Sequence, residues 1–246
     1  MPEIARRGGG ATARSFARAF ERMFAVSPLG APDKPLLEAA LMFSAFYLFS
    51  YLPTDPAAAG GALADPRYFG LIVLELAPKS LVLLYVMARA DGLAAFGIAR
   101  PRLASLGRGM ITALGAICAA AFPALVFERL GWTNPLLESV GGGASILILP
   151  LVIAASLAIG YAEELFFRVY LVKRLGQAGL PSLWAALAST LVFGSAHGLQ
   201  GLPGLIVASG IGGWLAWRWL KGRDLHEIAL AHAMYDAAVM AAALFG

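Results

Sequence analysis

The chain has 246 residues, of which 59% are apolar and 14% charged, with a formal net charge of +4. An ordinary soluble domain carries about 45–50% apolar and roughly 25% charged residues, and the mean hydropathy here is +0.74. This balance excludes a soluble enzyme, a disordered chain and a nucleic-acid-binding module, so the excess of Lys and Arg is read as membrane topology and contact with anionic lipid.

Residues 1–34 read as a basic cytoplasmic or interfacial segment, and residues 35–246 as a transmembrane domain. Phe16, Phe20, Met23 and Phe24 fall at helical spacing, with Arg14, Arg18 and Arg22 on a second stripe. That pattern predicts an N-terminal amphipathic helix lying on an anionic leaflet. No compact apolar stretch with a small-residue cleavage site precedes residue 35, so the segment does not read as a secretory signal.

Seven apolar segments follow, at about 36–52, 68–87, 108–127, 146–171, 183–197, 203–219 and 227–245. Most approach the ~20 residues that a spanning helix needs. Between them lie chain breakers such as Leu52-Pro53, Asp65-Pro66, Gly141 to Gly143 and Leu202-Pro203. No β-alternation is long enough for a barrel and no internal repeat is evident. Lipid forces backbone groups to be satisfied within each segment. The expected fold class is therefore all-α, a polytopic transmembrane bundle of about seven spanning helices. With a cytoplasmic N-terminus and seven spans, the inside segments collect fifteen basic residues and the outside ones only Arg67 and Arg129. This predicts N-in, C-out.

Ionisable groups inside the spans are functional candidates. In segment two, Glu75 and Lys79 are four apart and read as a mutually neutralised pair. Cys118, in segment three, is the one cysteine and reads as a small packing residue. Segment four carries Glu163-Glu164-Leu165-Phe166-Phe167-Arg168. Adjacent helical residues point ~100° apart, so Glu164 can pair with Arg168 while Glu163 has no partner in its own helix. A lone buried carboxylate can serve as a base or acid. Segment five ends Phe193-Gly194-Ser195-Ala196-His197, and segment seven carries His232-Ala233-Met234-Tyr235-Asp236. His226 reads as an interfacial residue, with Asp224 and Glu227 forming a helix-capping box.

These three motifs, in this order and each in a separate apolar helix, resemble those of the CPBP intramembrane proteases. That group contains the Rce1-type CAAX prenyl endopeptidases and the bacterial Abi proteins. The resemblance covers about residues 146–245. It implies an integral membrane endopeptidase that cleaves membrane-associated proteins or peptides in an intramembrane cavity open to the cytosol. It implies that Glu163 activates a water with His197 as partner. It further implies that His232 and Asp236 stabilise the oxyanion, that Glu164 belongs to the same catalytic group, and that Arg168 and Phe193 support the site. The commoner residue at the last position is Asn. An oxyanion hole needs hydrogen-bond donors, and ionised Asp only accepts. Asp236 must therefore be protonated, orient His232 or ligate a metal. The expected cofactor is none, or a divalent metal such as Zn held by His197, His232 and Glu163 or Asp236.

Other readings compete. A rhomboid-like dyad would use Ser209 and His232, although Ser209-Gly210 also reads as small-residue helix packing. A proton-coupled transporter would use buried Glu and His. A non-enzymatic membrane immunity or scaffold protein is the third. The expected partners are the bilayer, anionic lipid at the N-terminal segment and a membrane-associated substrate, with no nucleic acid. The expected location is a bacterial plasma (inner) membrane.

Overall fold

The computed structural model of the chain describes residues 33–52, 55–140 and 142–246. The amphipathic helix expected around Phe16 to Phe24 lies outside the described residues. Among the described residues there are helices and no strands.

In chain order, α1 covers Asp33–Tyr47, α2 Pro56–Leu63, α3 Pro66–Ala90, α4 Leu103–Arg129 and α5 Pro135–Glu138. Then α6 covers Leu149–Glu164 and runs into a π-helical stretch, Leu165–Leu171, and α7, Val172–Gln177. Ser182–Ser195 is α8, Gly201–Gly222 is α9 and Leu225–Phe245 is α10. Several starts are written plainly in the sequence. Asp55-Pro56, Asp65-Pro66 and Asn134-Pro135 each place a capping side chain before a proline at the first helical position. There the missing proline N–H costs nothing and the capping oxygen satisfies an orphan donor.

All seven apolar segments are helical, but they are not equally long. Among the described residues, five helices are long and apolar enough to cross a membrane: Pro66–Ala90, Leu103–Arg129, Ile146–Gln177, Gly198–Gly222 and Leu225–Phe245. The pair Lys34–Tyr51 and Pro56–Leu63, bent by 100°, makes a sixth if it is one span. Segment five forms only the 14-residue α8, about 21 Å long at 1.5 Å per residue. That is short of the ~30 Å hydrocarbon core. Hence the described residues show five or six spans by length and composition, and the expected seven are not all confirmed.

The surface is that of a lipid-solvated protein. Leu74, Leu81, Ile111 and Phe122 are 67–76% exposed, on a scale that a water-soluble surface rarely tolerates. Cys118 is also exposed, which corrects the expectation of a packing residue. Ala116 and Ala120 take the buried face of α4 at that level, and Cys118 points away from it.

Helix α10 is central, packing against α6 and α4, while α9 packs against α8 and α4, and α3 against α6. Small residues make the close contacts. A Cβ on Gly160 would lie 2.6 Å from the Ala229 carbonyl oxygen and 2.9 Å from the Ala233 nitrogen. The α6–α10 crossing therefore depends on glycine. At the start of α10, Asp224 caps the helix by accepting from the N–H groups of His226 and Glu227. Glu227 does not close the capping box. Its buried carboxylate instead accepts from Thr112 Oγ1 at 2.8 Å, Arg218 Nε at 2.8 Å and Arg108 Nε at 3.1 Å. One side chain thus ties α10 to α4 and α9. Burial alone would raise Asp224, but hydrogen bonds from Ser105, Arg108 and the Glu227 N–H hold its carboxyl below the usual carboxylate range.

Two outcomes follow. Gly160→Ala should cost about 1–3 kcal/mol through backbone overlap. It should lower the melting temperature in detergent, whereas Gly107→Ala, where a Cβ meets nothing within 4 Å, should not. Asp224 is depressed in the folded state, so its stabilising contribution is present at neutral pH and is lost as pH falls through its folded value. Acid titration of stability should therefore show a loss below about pH 4 that Asp224→Asn flattens.

Candidate functional site

The π-helical stretch after Glu164 is the local feature that builds the site. A π segment carries an extra residue per turn and re-aims the side chains around it. Ser189 Oγ of α8 donates to the Phe167 carbonyl at 2.5 Å. Such a bond can satisfy a carbonyl within the irregular backbone. Glu164 and Arg168 are both fully buried, with Arg168 Nη1 3.2 Å from Glu164 Oε1. The pairing expected from their spacing is present. Arg168 also stacks over the Phe193 ring, 4.1 Å from its centroid. Gly212 of α9 makes room: a Cβ there would sit 2.8 Å from both Arg168 Nη2 and Phe193 Cδ1.

His232 projects from α10 into this cluster. Its Nδ1 is 2.8 Å from Glu164 Oε1. A carboxylate accepts, so Nδ1 carries the proton of this bond. Its Nε2 faces Asp236 Oδ2 at 3.5 Å and Glu163 Oε2 at 3.8 Å. Glu163 Oε2 is buried and has no hydrogen-bond partner in the protein. The structure therefore brings Glu163, Glu164, Arg168, His232 and Asp236 into one group drawn from two helices and the π stretch.

His197 reaches the group less directly. It follows α8, and its Nδ1 is 2.9 Å from the Phe193 carbonyl. That carbonyl can only accept, so Nδ1 carries the proton and Nε2 holds the free lone pair in the neutral ring. No hydrogen bond or ion pair joins His197 to Glu163. The link is Phe193, whose ring is 4.7 Å from that of His197 and 5.8 Å from that of His232. Phe193 is also edge-on to Phe167 at 5.2 Å.

Other sequence candidates fall elsewhere. Ser209 Oγ donates to the Leu205 carbonyl at 2.8 Å and packs against Gly194, while His232 is engaged with Glu164. The Ser209–His232 dyad is not formed. Lys79 pairs with Glu75 as expected, and its Nζ also donates to the Phe46 carbonyl at 3.0 Å. His226 lies between Tyr161 Oη and the Ala99 carbonyl, 3.0 Å from each. Among the described residues, no group of three or more His, Cys, Asp or Glu is arranged to hold a metal ion.

Sequence reasoning missed Tyr47 at the end of α1. It is buried against Phe166 and Phe167, with ring centroids 4.9 and 4.8 Å away. It sits in an ordinary apolar run with no motif around it. It also missed Gly212, whose signal was only one more glycine in a small-residue helix.

Residues 145–238 match the family model described as type II CAAX prenyl endopeptidase Rce1-like. That span holds Glu163, Glu164, Arg168, Phe193, His197, His232 and Asp236, and leaves out α1 to α5. No curated protein and no solved structure matches the chain. The apolar helices make the chain a membrane protein, and its residues 145–238 are similar to the type II CAAX prenyl endopeptidase Rce1-like family.

Proposed function

We propose that the protein is an intramembrane endopeptidase of the glutamate type that hydrolyses peptide bonds in membrane-associated proteins. The observation that carries this reading is Glu163. It is a buried carboxylate with a free oxygen, 3.8 Å from His232 Nε2, within a segment that matches an endopeptidase family. In this reading Glu163 takes a proton from water as the water oxygen bonds to the scissile carbonyl carbon. The carbonyl π pair moves to oxygen. When the intermediate collapses, the C–N bond breaks and the proton held by Glu163 goes to the leaving nitrogen. His197 Nε2 is the second acceptor and helps to hold the water.

His232 stabilises the oxyanion side. Its Nδ1–H is fixed on Glu164, so the ring cannot turn, and Nε2 is directed at the reacting region. Asp236 orients Nε2 at 3.5 Å, a task that Asn could share through its amide oxygen. Glu164, Arg168 and Phe193 hold the imidazole in place. In this reading the chain lies in a bacterial plasma membrane with its N-terminus cytoplasmic, the orientation that the basic-residue count gives when all seven apolar segments cross. Residues 1–34 lie on anionic lipid, and the site opens toward the cytosol. The substrate is a membrane-associated protein, with its lipidation left open.

Cleavage of a membrane-tethered peptide library by purified protein tests this reading. Glu163→Gln and His232→Ala should each lose about 10²–10⁴-fold in rate, and His197→Ala should also lose activity. Ser209→Ala should stay within a few-fold of wild type, and a chelator should have no effect. Solute flux without cleavage, or activity that a chelator removes and Zn²⁺ restores, would overturn it. Asp236→Asn should remain active and Asp236→Ala should lose about 10²-fold, read in the same assay.

A further inference from the structure

The loop between α3 and α4 meets the turn between α9 and α10 at one corner of the bundle. His226 Nε2 lies 3.0 Å from the Ala99 carbonyl. A Cβ on Gly97 would sit 3.4 Å from the Trp219 ring and 4.0 Å from Arg223 Cβ. Ser105, in the first turn of α4, donates to Asp224 at 2.7 Å. These contacts bring Arg100 and Arg102 to the same corner as Lys221 and Arg223, and all four are exposed. The acids nearby are engaged elsewhere. Asp224 pairs with Arg108, Glu227 with Arg108 and Arg218, and Asp91 with Arg174. Among the described residues, no carboxylate pairs with Arg100, Arg102, Lys221 or Arg223.

Local structure does not account for this concentration of charge. The dipole of α9 favours cations at its C-terminal end, but Arg102 stands at the N-cap of α4, where a cation is disfavoured. Arg223 follows α9 at φ 49, in the left-handed region that glycine adopts most readily at a helix end. Its guanidinium is 5.3 Å from the Trp219 ring centroid. Four unpaired cations at one corner attract an anion from outside the chain. The adjoining surface is apolar. Leu103 is 92% exposed, and Leu106 and Met110 on α4 are exposed with it. Trp217, one turn before Lys221, is also exposed. Its ring is 5.0 Å from that of Trp214, whose Nε1 donates to the Thr112 carbonyl of α4. An exposed tryptophan beside cations is the pattern of a membrane–water interface. A free phosphate or a nucleic acid would leave the apolar part unused. A phospholipid covers both.

We propose that Arg100, Arg102, Lys221 and Arg223 bind the headgroup phosphate of an anionic phospholipid, whose acyl chains lie along Leu103, Leu106 and Trp217. This place is separate from residues 1–34, and it does not depend on the endopeptidase reading. The lipid ties the α3–α4 loop to the α9–α10 turn from outside, next to the cap that Asp224 places on α10.

The test measures binding of dioleoyl phosphatidylglycerol and dioleoyl phosphatidylcholine to the full-length protein in a neutral detergent. Wild type should bind the phosphatidylglycerol at least ~10-fold more tightly than the phosphatidylcholine. The variant carrying Arg100→Gln, Arg102→Gln, Lys221→Gln and Arg223→Gln should lose that preference. The pairs Arg100→Gln with Arg102→Gln, and Lys221→Gln with Arg223→Gln, should each lose part of it. All should melt at the wild-type temperature without lipid. Arg14→Gln, Arg18→Gln and Arg22→Gln together should leave the preference in place, and a large excess of inorganic phosphate should not displace the lipid. A fourfold variant with wild-type preference would overturn the proposal. So would a preference lost only in the N-terminal variant, which places the lipid on residues 1–34. Displacement by inorganic phosphate would reduce the corner to a simple anion site. A lowered melting temperature in both pair variants would make the four residues structural. Either result overturns the proposal as well.

Discussion

The bond between His232 and Glu164 is the interaction on which the site depends. It joins α10 to the end of α6 in a region shielded from water, and Glu164 is also the partner of Arg168. A buried ion pair rarely adds net stability, but breaking one by removing a single partner typically costs about 3–5 kcal/mol, because a charge is left uncompensated. His232, Glu164 and Arg168 therefore form a unit with no spare member. Its neighbours are shaped to it. Gly212 makes space for the guanidinium, Phe193 gives it an aromatic face, and Gly160 lets α10 come close enough for the imidazole to reach.

A second anchor on α10 sits five residues earlier. Glu227 holds Arg108 of α4, Arg218 of α9 and Thr112 of α4 with one carboxylate. Asp224 adds the helix cap and a further tie to Ser105. The two anchors divide the work along the helix. The Glu227 end locks α10 against α4 and α9, and the His232 level locks it against α6. A helix clamped at two levels neither slides nor rotates freely. That is the condition for holding Nε2 of His232 near Glu163 and Asp236.

Much of this was legible in the sequence because charge is so scarce. Carboxylates and histidines in apolar runs stand out, and the i, i+4 spacing already pairs Glu164 with Arg168. The Asp-Pro and Asn-Pro helix starts were equally visible. What was not visible depended on packing between helices. The π stretch has no sequence signature, because an i to i+5 bond is selected by tertiary fit. Glu227 looked like half of a capping box, and only the approach of α4 and α9 shows that its partners are arginines. Tyr47 is one aromatic among several in an apolar helix, and only the fold brings it to Phe166 and Phe167. Segment five read as a span, yet its helix ends at Ser195, and His197 lies just beyond.

A double-mutant cycle on peptide cleavage tests whether Glu164 serves chemistry by fixing His232. Glu164→Gln and His232→Ala are measured singly and together, each as kcat/KM. If the two act as one unit, the double variant should be no slower than the slower single variant, with a coupling on the order of 0.5–3 kcal/mol or more. Multiplied losses, additive within roughly 0.5 kcal/mol in free energy, would mean that the 2.8 Å bond between them does not carry the function assigned to it.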